Sequence, residues 1–434
     1  LDNEGRFVVM QNDPVDVLII GAGASGAAIA WSLVETRMRI LCLEQGSHIE
    51  DKDFPSRDHD YELARYGRFS CDPNVRRQKQ DYPIEVSNSC ITPVNYNGVG
   101  GSTINFLGHW PRMRPSDFRT KSLDGVGEDW PINYEALSPF YEMNDHNTGI
   151  SGLGGNPAYP KYSPELPPIP MGKLGQTLAE GFNKIGWHWW PSDVAILSQD
   201  HNGRQKCVNA GTCDLLCAAG AKGGTNFTYW PMLRSTGVEL RTECRVREII
   251  VDEKTGLATG AIYHGSDGQV YEQKAEKGLE ACNGVGEPRP RLNSKSKSFP
   301  NGLANRSGLV GKNLMFHPLT GIAGVFSEPM LGHEGPMACS ILSQEFYETD
   351  TSRNFVRGYG LYSGRSTTPM TYALGGYGID NPIPWGKEHR KIMDTIYPYL
   401  AGLTVVTEDL PEESNCDTLD PNRTDSDGIP APEI

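Results

Sequence analysis

Three stretches of this sequence place residue types at spacings that chemistry can use. Gly21-Ala-Gly23-Ala-Ser-Gly26 sets glycines where a chain turns tightly, where a pyrophosphate approaches the backbone, and where a helix packs close against a strand. Glu44 follows 18 residues after Gly26, the distance at which a carboxylate reaches ribose hydroxyls. A helix opening in that turn offers free N–H groups and the positive end of its dipole to phosphates. The second stretch, Gly98-Val-Gly100-Gly101-Ser102-Thr103-Ile104-Asn105, is a glycine-rich turn suited to pressing backbone against a large flat cofactor. It would serve equally as an ordinary tight turn with a hydroxyl cap. The third, Cys207-x5-Cys213-x3-Cys217, gathers three of the ten cysteines. Thiolates so spaced suit a metal or iron–sulfur site, and the plainer alternative is buried thiols or one disulfide with a spare.

The flanking sequence supplies the elements that must position these residues. Asp16 to Ile20 is a short apolar run suited to a strand buried on both faces, Ala27 to Val34 a helix of small apolar residues, and Arg39 to Glu44 a second strand. Strand, glycine turn, helix and strand in about 30 residues make a βαβ unit, so the first turn reads as a dinucleotide site. That motif alone does not separate FAD from NAD. Residues 50–90 are polar and aperiodic and read as an excursion, and residues 150–170 as a long loop. Helical spacing runs from Tyr134 to Met143 and from Lys173 to Lys184. Glu239 to Asp252, Ala258 to Tyr263 and Gln269 to Glu272 are three β runs joined by turn-forming residues, a β-meander. Phe355 to Tyr362 and Tyr372 to Tyr377 read as strands of a second sheet, and the polar run from Asn422 to Pro432 contains no recognisable strand or helix.

Composition narrows the function classes. The chain has 434 residues, 40 basic and 54 acidic side chains and a net charge of −14, with no run of Lys or Arg, so it repels nucleic acid rather than binding it. No stretch of about 18 apolar residues exists to span a bilayer. The 49 glycines and 31 prolines suit a mixed α/β protein rich in turns and loops. No signal peptide is recognisable, and bacterial cytoplasm and periplasm both remain open.

Taken together, the two glycine turns, Trp110-Pro-Arg-Met-Arg-Pro-Ser-Asp-Phe118, Asp129-Trp-Pro-Ile-Asn-Tyr134, Gly220-Ala-Lys-Gly-Gly-Thr225, Ala281-Cys-Asn-Gly-Val-Gly286 and Phe299 to Pro318 resemble the glucose–methanol–choline (GMC) oxidoreductases, nearest the bacterial sugar and sugar-acid dehydrogenase branch. The resemblance covers nearly the whole chain in family order. It implies an α/β fold with a Rossmann-like FAD-binding domain (1–115 and 205–320) and a second, antiparallel-sheet substrate domain (116–204 and 321–434). By the same resemblance, Gly21, Gly23, Gly26 and Glu44 hold the ADP part of FAD, and Gly100, Gly101, Ser102 and Asn105 lie near the isoalloxazine. Val246 meets the adenine through its backbone, and Ala281 and Gly284 pass close to the dinucleotide. Some family members tether the flavin through a histidine four residues after the paired glycines. Asn105 stands there, so non-covalent FAD is expected.

The family's catalytic pair, a histidine with a second histidine or an asparagine, matches no residue of this chain and is expected beyond Ile434. His109 and His317 do not match it. Glu276-Lys-Gly-Leu-Glu280 departs from the family's apolar strand. The cysteine spacing looks like the ligand set of a three-iron cluster in membrane-associated sugar dehydrogenases, while soluble relatives carry a similar loop as structure only. Trp110, Tyr229, Trp230 and Phe355 to Tyr362 could shape a sugar-stacking pocket, although such aromatics are more often core. The expected function is FAD-dependent oxidation of a CH–OH group of a sugar, sugar acid or polyol by hydride transfer to flavin N5. The alternatives are a hydroxynitrile lyase of the same fold and a non-catalytic flavin-binding subunit. The expected partner is a small alcohol or sugar, with an undetermined electron acceptor and an oligomer left open.

Overall fold

The structure, a computed structural model, describes residues 8–10, 13–365, 368–374 and 384–434. Its first sheet grows from the βαβ unit. β1 (Val8–Met10) precedes β2 (Val15–Ile20), a strand buried at every position but Asp16. Helix α1 (Ala24–Leu33) crosses from β2 to β3 (Ile40–Leu43), which pairs with β2 in parallel from Val17–Ile40 to Ile20–Leu43. Asp16 apart, both strands are apolar because elements cover both of their faces. Ala27 and Ala30 of α1 pack with Val17, Ile19 and Ile40 on one face, and Leu18, Ile20 and Leu41 face the other.

The remaining strands of this sheet are β5 (Glu239–Arg241), β6 (Arg245–Val251), β7 (Ala258–His264) and β8 (Val270–Glu280), in the order β5-β3-β2-β8-β7-β6 with β1 against β8. Here the structure corrects two expectations. The run from Glu239 to Asp252 is two strands, broken at Thr242 to Cys244. There the backbone turns aside to hold the segment after β3: Glu243 N–H donates to the Gly46 carbonyl (3.0 Å) and Cys244 N–H to the Glu44 carbonyl (2.8 Å). The third run continues to Glu280 because β8 serves two partners. Its first half is antiparallel to β7, and its second half runs parallel to β2 from Ala275 to Glu280. The polar Glu276, Lys277 and Gly278 are exposed although β8 is central, so backbone pairing rather than burial holds them in the sheet.

The second sheet is antiparallel: β4 (Trp190–Pro191), β9 (Leu319–Val325), β10 (Cys339–Ser343), β11 (Tyr359–Gly364) and β12 (Leu400–Thr407), in the order β4-β10-β11-β12-β9. The amphipathic helix Gly172–Ile185 buries Ala179 and Phe182 against Ile341 and Leu361 of this sheet. Strand character begins at Tyr359, later than the expected Phe355. Tyr372 sits in a helix, Pro369–Ala373, because Pro369 opens it at a position where a missing N–H costs nothing. Tyr377 lies outside the described residues.

Residues 50–90 are less of an excursion than their composition suggests, since Phe54, Phe69, Tyr82 and Ile84 are buried. The C-terminal run is a hairpin, β13 (Thr418–Thr424) with β14 (Pro430–Glu433). Its anchor is electrostatic, which explains why hydrophobic alternation does not reveal it. Asp425 at its turn lies 2.5 Å from Arg289 and 3.0 Å from Arg245, all three side chains buried. Burial pushes the Asp425 carboxyl up, but the two guanidinium groups outweigh it and hold it below the usual range. The hairpin thereby packs on the helix Pro288–Asn293 and the segment near Glu85, beside the first sheet.

Candidate cofactor and substrate site

The first glycine turn is built so that its backbone is bare. Gly21 has φ +100°, a left-handed conformation, and a Cβ there would lie 2.6 Å from the Ala281 carbonyl oxygen. A Cβ on Gly26 would fall on the Gly21 carbonyl oxygen, so the helix can approach the strand only as glycine. Gly23 differs: a Cβ there meets no protein atom closer than Gly101 Cα at 3.7 Å, leaving its side open. Helix α1 starts at this point with no side-chain cap and no acidic residue in its first turn, so its first N–H groups remain available to an anion. Glu44, at the end of β3, is 5% exposed. Its carboxylate accepts the Ala22 N–H (2.7 Å) and the Gly46 N–H (2.9 Å). Burial raises its pKa, opposed by the N–H groups of Gly46, Ala22 and Gln45. Each oxygen keeps a further lone pair, which suits ribose hydroxyls as donors.

The second glycine turn packs directly on the first. Gly100 N–H donates to the Ala22 carbonyl (2.9 Å), and a Cβ on Gly101, whose φ is +51°, would lie 2.8 Å from Gly23 Cα. Ser102 Oγ accepts the Tyr96 N–H (3.3 Å), and Asn105 donates through Nδ2 to the carbonyls of Phe69 (3.3 Å) and Asp214 (3.1 Å). The segment 222–230 clamps both turns. Thr225 N–H donates to Thr103 Oγ1 (3.0 Å), Trp230 Nε1 donates to the Ala22 carbonyl (2.9 Å), and Lys222 Nζ donates to the carbonyls of Ile104 (2.5 Å) and Phe106 (3.0 Å). Burial pulls the Lys222 pKa down to about 8, so its ammonium is an internal strut. Tyr229 and Trp230 are therefore core rather than pocket wall. The Trp110 indole N–H donates to Asp145 (3.2 Å).

The structure brings Gly21, Gly23, Gly26, Glu44, Gly100, Gly101 and Ala281 into one neighbourhood. Val246 lies in β6 opposite Tyr263, two residues past the Cys244 that bonds to Glu44. Gly284 sits in the short helix Asn283–Gly286 with open space where a side chain would project. These residues fit an FAD: a backbone cradle that side chains would fill, a helix start, and an acid placed for ribose.

Cys207, Cys213 and Cys217 are not a metal cage in this structure. All ten cysteines are free thiols, and these three sulfurs do not form a group whose ligand atoms all lie within 4.8 Å of one another. Burial pushes the Cys213 thiol up to about 12, so it is protonated at neutral pH. Its sulfur accepts the Met337 N–H (3.4 Å) and packs with Val194, Ile196 and Ala338. The disulfide reading falls with the free thiols, and the iron–sulfur reading gains no support from this geometry.

Beyond Asn105 opens a cavity of about 1380 Å³, bounded by the segment after the second glycine turn on one side and by β9, β11 and β12 on the other. Its aromatic wall includes Phe69, Tyr159, Tyr347, Tyr359 and Tyr362. Its arginines are committed to protein groups. Arg65 takes Asp214 in a two-pronged pair (2.5 and 2.8 Å), Arg112 takes Asp145 (2.6 Å), and Arg357 takes Asp117 (2.5 Å) and Asp124 (3.2 Å). Arg365 spends its guanidinium on the carbonyls of Pro170, Glu334 and Gly335. No described helix is long and apolar enough to cross a membrane.

Comparison with known proteins agrees with this geometry. A family model described as GMC oxidoreductase matches residues 169–319, and one described as NAD(P)-binding Rossmann-like domain matches residues 19–78. The chain is 40% identical over 428 residues to 2-methyl-1,2-propanediol dehydrogenase of Mycolicibacterium austroafricanum, covering 97% of this chain and 76% of that protein. It is 26% identical over 444 residues to the fructose dehydrogenase large subunit of Gluconobacter japonicus, covering 96% and 79%. Among solved structures, an Aspergillus oryzae formate oxidase studied for FAD modification superposes with a TM-score of 0.59 at 14% identity, over 98% of this chain and 77% of that one, a likeness of fold.

Proposed function

Because this chain belongs to the GMC oxidoreductase family, as an FAD-dependent oxidoreductase of alcohol- and sugar-type substrates, we propose that it oxidises a CH–OH group of a neutral diol, sugar or polyol. The observation that carries the substrate class is the cavity beside Asn105, whose described arginines are each spent on protein partners and leave no free guanidinium for an anionic substrate. Two relatives are named for uncharged polyhydroxy compounds, a propanediol and fructose, which favours the same class.

In this reading Gly21, Gly23, Gly26 and Glu44 hold the ADP part of FAD, Gly100, Gly101, Ser102 and Asn105 lie along the flavin, and Val246, Ala281 and Gly284 border the nucleotide. Residues 1–115 and 205–320 form the FAD-binding body, and 116–204 with 321–434 the substrate body. Bound flavin supplies the acceptor for the two electrons and hydrogen that leave carbon as hydride. The chain's own residues shape, orient and dry the site. Asn105 offers no ring nitrogen to tether the flavin, and both of its amide hydrogens are used on backbone carbonyls, so FAD is held without a covalent bond. The cysteine loop is structural. The hydroxyl proton is not assigned to His109, because burial pushes its pKa down to about 4, too weak a base for that task at neutral pH.

One experiment tests this reading: acid precipitation of purified protein followed, on a second aliquot, by anaerobic addition of diols and sugars. FAD should appear in the supernatant and the holoprotein's flavin should bleach. Flavin retained in the precipitate would contradict non-covalent binding, and a flavin that no diol, sugar or polyol bleaches would contradict the activity.

A further inference from the structure

Away from the substrate cavity, three separate segments bring together His146, Glu165 and His201. Among the described residues these are the one group of three histidine, cysteine or acidic side chains whose ligand atoms, one from each, all lie within 4.8 Å of one another. The scaffold beneath them is fixed by backbone bonds. His146 stands in the last turn of the helix Tyr134–Thr148, which closes where the N–H groups of Gly149 (2.8 Å) and Ile150 (3.0 Å) both donate to the Asp145 carbonyl. Glu165 precedes Leu166, whose N–H donates to the Ile150 carbonyl (2.9 Å) and whose carbonyl accepts the Gly152 N–H (3.0 Å). His201 exchanges backbone bonds with Arg204 (3.0 and 2.9 Å), and the Arg204 guanidinium donates to the Thr148 carbonyl at the end of the same helix. Thr148, Ile150 and Leu166 are buried under these contacts.

The protons of the cluster follow from what each nitrogen faces. His201 Nε2 lies 2.7 Å from the His146 backbone carbonyl, which can only accept, so that nitrogen carries the proton and Nδ1 keeps its lone pair. Metal-bound histidines are held in this way, with the second nitrogen donating to a carbonyl or carboxylate that orients the ring and makes the free nitrogen more basic. His146 Nδ1 lies 3.1 Å from Glu165 Oε1 and shares a proton with it. Two ligands each about 2.0–2.1 Å from a tetrahedral zinc ion stand about 3.3 Å apart, so an ion fits in place of that proton with little movement. The His146 and Glu165 side chains are 59% and 34% exposed, which gives an ion a path in and water access to its open positions. Glu165 also borders a second cavity, of about 520 Å³.

We propose that His146, Glu165 and His201 bind a divalent transition-metal ion of the zinc class through two imidazole nitrogens and one carboxylate, with water completing its coordination. The ion would staple the helix end to the loop that carries Glu165 and to the segment that leads into the cysteine loop. Imidazoles with one carboxylate suit zinc, nickel or cobalt, whereas magnesium and calcium take oxygen ligands. On binding, the proton between His146 and Glu165 leaves to solvent and the ion accepts lone pairs from both atoms, with no change of oxidation state. The inference does not rest on the substrate reading, since none of the three residues lines the substrate cavity.

The test is zinc binding to the tag-free, FAD-loaded full chain, read by titration calorimetry and by metal analysis after dialysis, beside thermal unfolding with and without the ion. Wild type should hold one zinc per chain, and its Tm should rise by a few degrees when zinc is present. His146→Asn and Glu165→Gln change exposed positions, and His201→Gln keeps a donor for the His146 carbonyl while removing the metal-binding nitrogen. Each should weaken zinc binding by about tenfold or more, with FAD content and the Tm in chelator close to wild type. Cysteines are the competing zinc ligands of this chain, so a variant with Cys207, Cys213 and Cys217 all changed to serine is measured as well, and it should keep its zinc. Wild-type protein without stoichiometric zinc, zinc binding unchanged in the histidine and glutamate variants, or zinc lost only from the cysteine variant would overturn the site.

Discussion

Replacing Gly23 with alanine separates the needs of the fold from the needs of the cofactor. Gly23 has φ −76° and ψ −156°, which alanine adopts without strain, and the new methyl would touch only Gly101 Cα at 3.7 Å, an ordinary contact. The cofactor-free protein should therefore fold normally and gain, if anything, about 0.4–1 kcal/mol from the smaller entropy of its unfolded chain. The methyl projects where the dinucleotide must meet bare backbone. Overfilling a close-packed contact costs about 1–3 kcal/mol, so FAD should bind about 5- to 150-fold more weakly at 1.4 kcal/mol per tenfold. Gly26→Ala makes the opposite case, because its Cβ falls on the Gly21 carbonyl oxygen and the helix must move whether or not FAD is present. The assay is FAD titration of apoprotein by flavin fluorescence quenching, beside thermal unfolding of each apoprotein. Gly23→Ala should lose affinity at constant Tm, and Gly26→Ala should lose both. Gly23→Ala protein that binds FAD as tightly as wild type would refute the placement of the pyrophosphate at this turn.

Two further perturbations probe the rest of the chain. Asp417 is 2% exposed and its Oδ2 has no partner among the described residues. Burial raises its pKa to about 8, against the pull of Arg289. A carboxyl whose folded pKa is raised favours the folded state below its unfolded pKa, near 4, and loses that contribution as pH climbs toward 8. Asp417→Asn mimics the protonated form, so its Tm should match wild type near pH 4 and exceed it at pH 9; parallel pH profiles would contradict this. For the cysteine loop, anaerobically prepared protein should contain no stoichiometric iron or sulfide, and Cys213→Ser should leave flavin reduction intact; stoichiometric iron lost in that variant would reverse the structural assignment.

The βαβ unit was legible because its determinants are local: two apolar strands, glycines at fixed offsets, and Glu44 at a fixed distance. The contact between Gly23 and Gly101 was not, since nothing in either turn says that they touch; only the tertiary clamp from Thr225 and Trp230 brings them together. The break at Thr242 to Cys244 escaped for a similar reason, because its backbone leaves the β run to serve Gly46 and Glu44. The C-terminal hairpin lacks apolar alternation and depends on Asp425 finding Arg245 and Arg289, partners more than 130 residues away in sequence. Polar anchors of this kind leave no periodicity to read.

The most direct measurement of the central claim is anaerobic stopped-flow reduction of the FAD-loaded protein by a diol or sugar, followed in the flavin absorption band. An FAD-dependent oxidoreductase of CH–OH donors bleaches that band at a rate that saturates with substrate, and one equivalent of carbonyl product forms per flavin. A flavin that stays oxidised with every alcohol offered, while the protein keeps its FAD and its fold, would contradict the account and leave the site to a lyase or to a non-catalytic flavin-binding role.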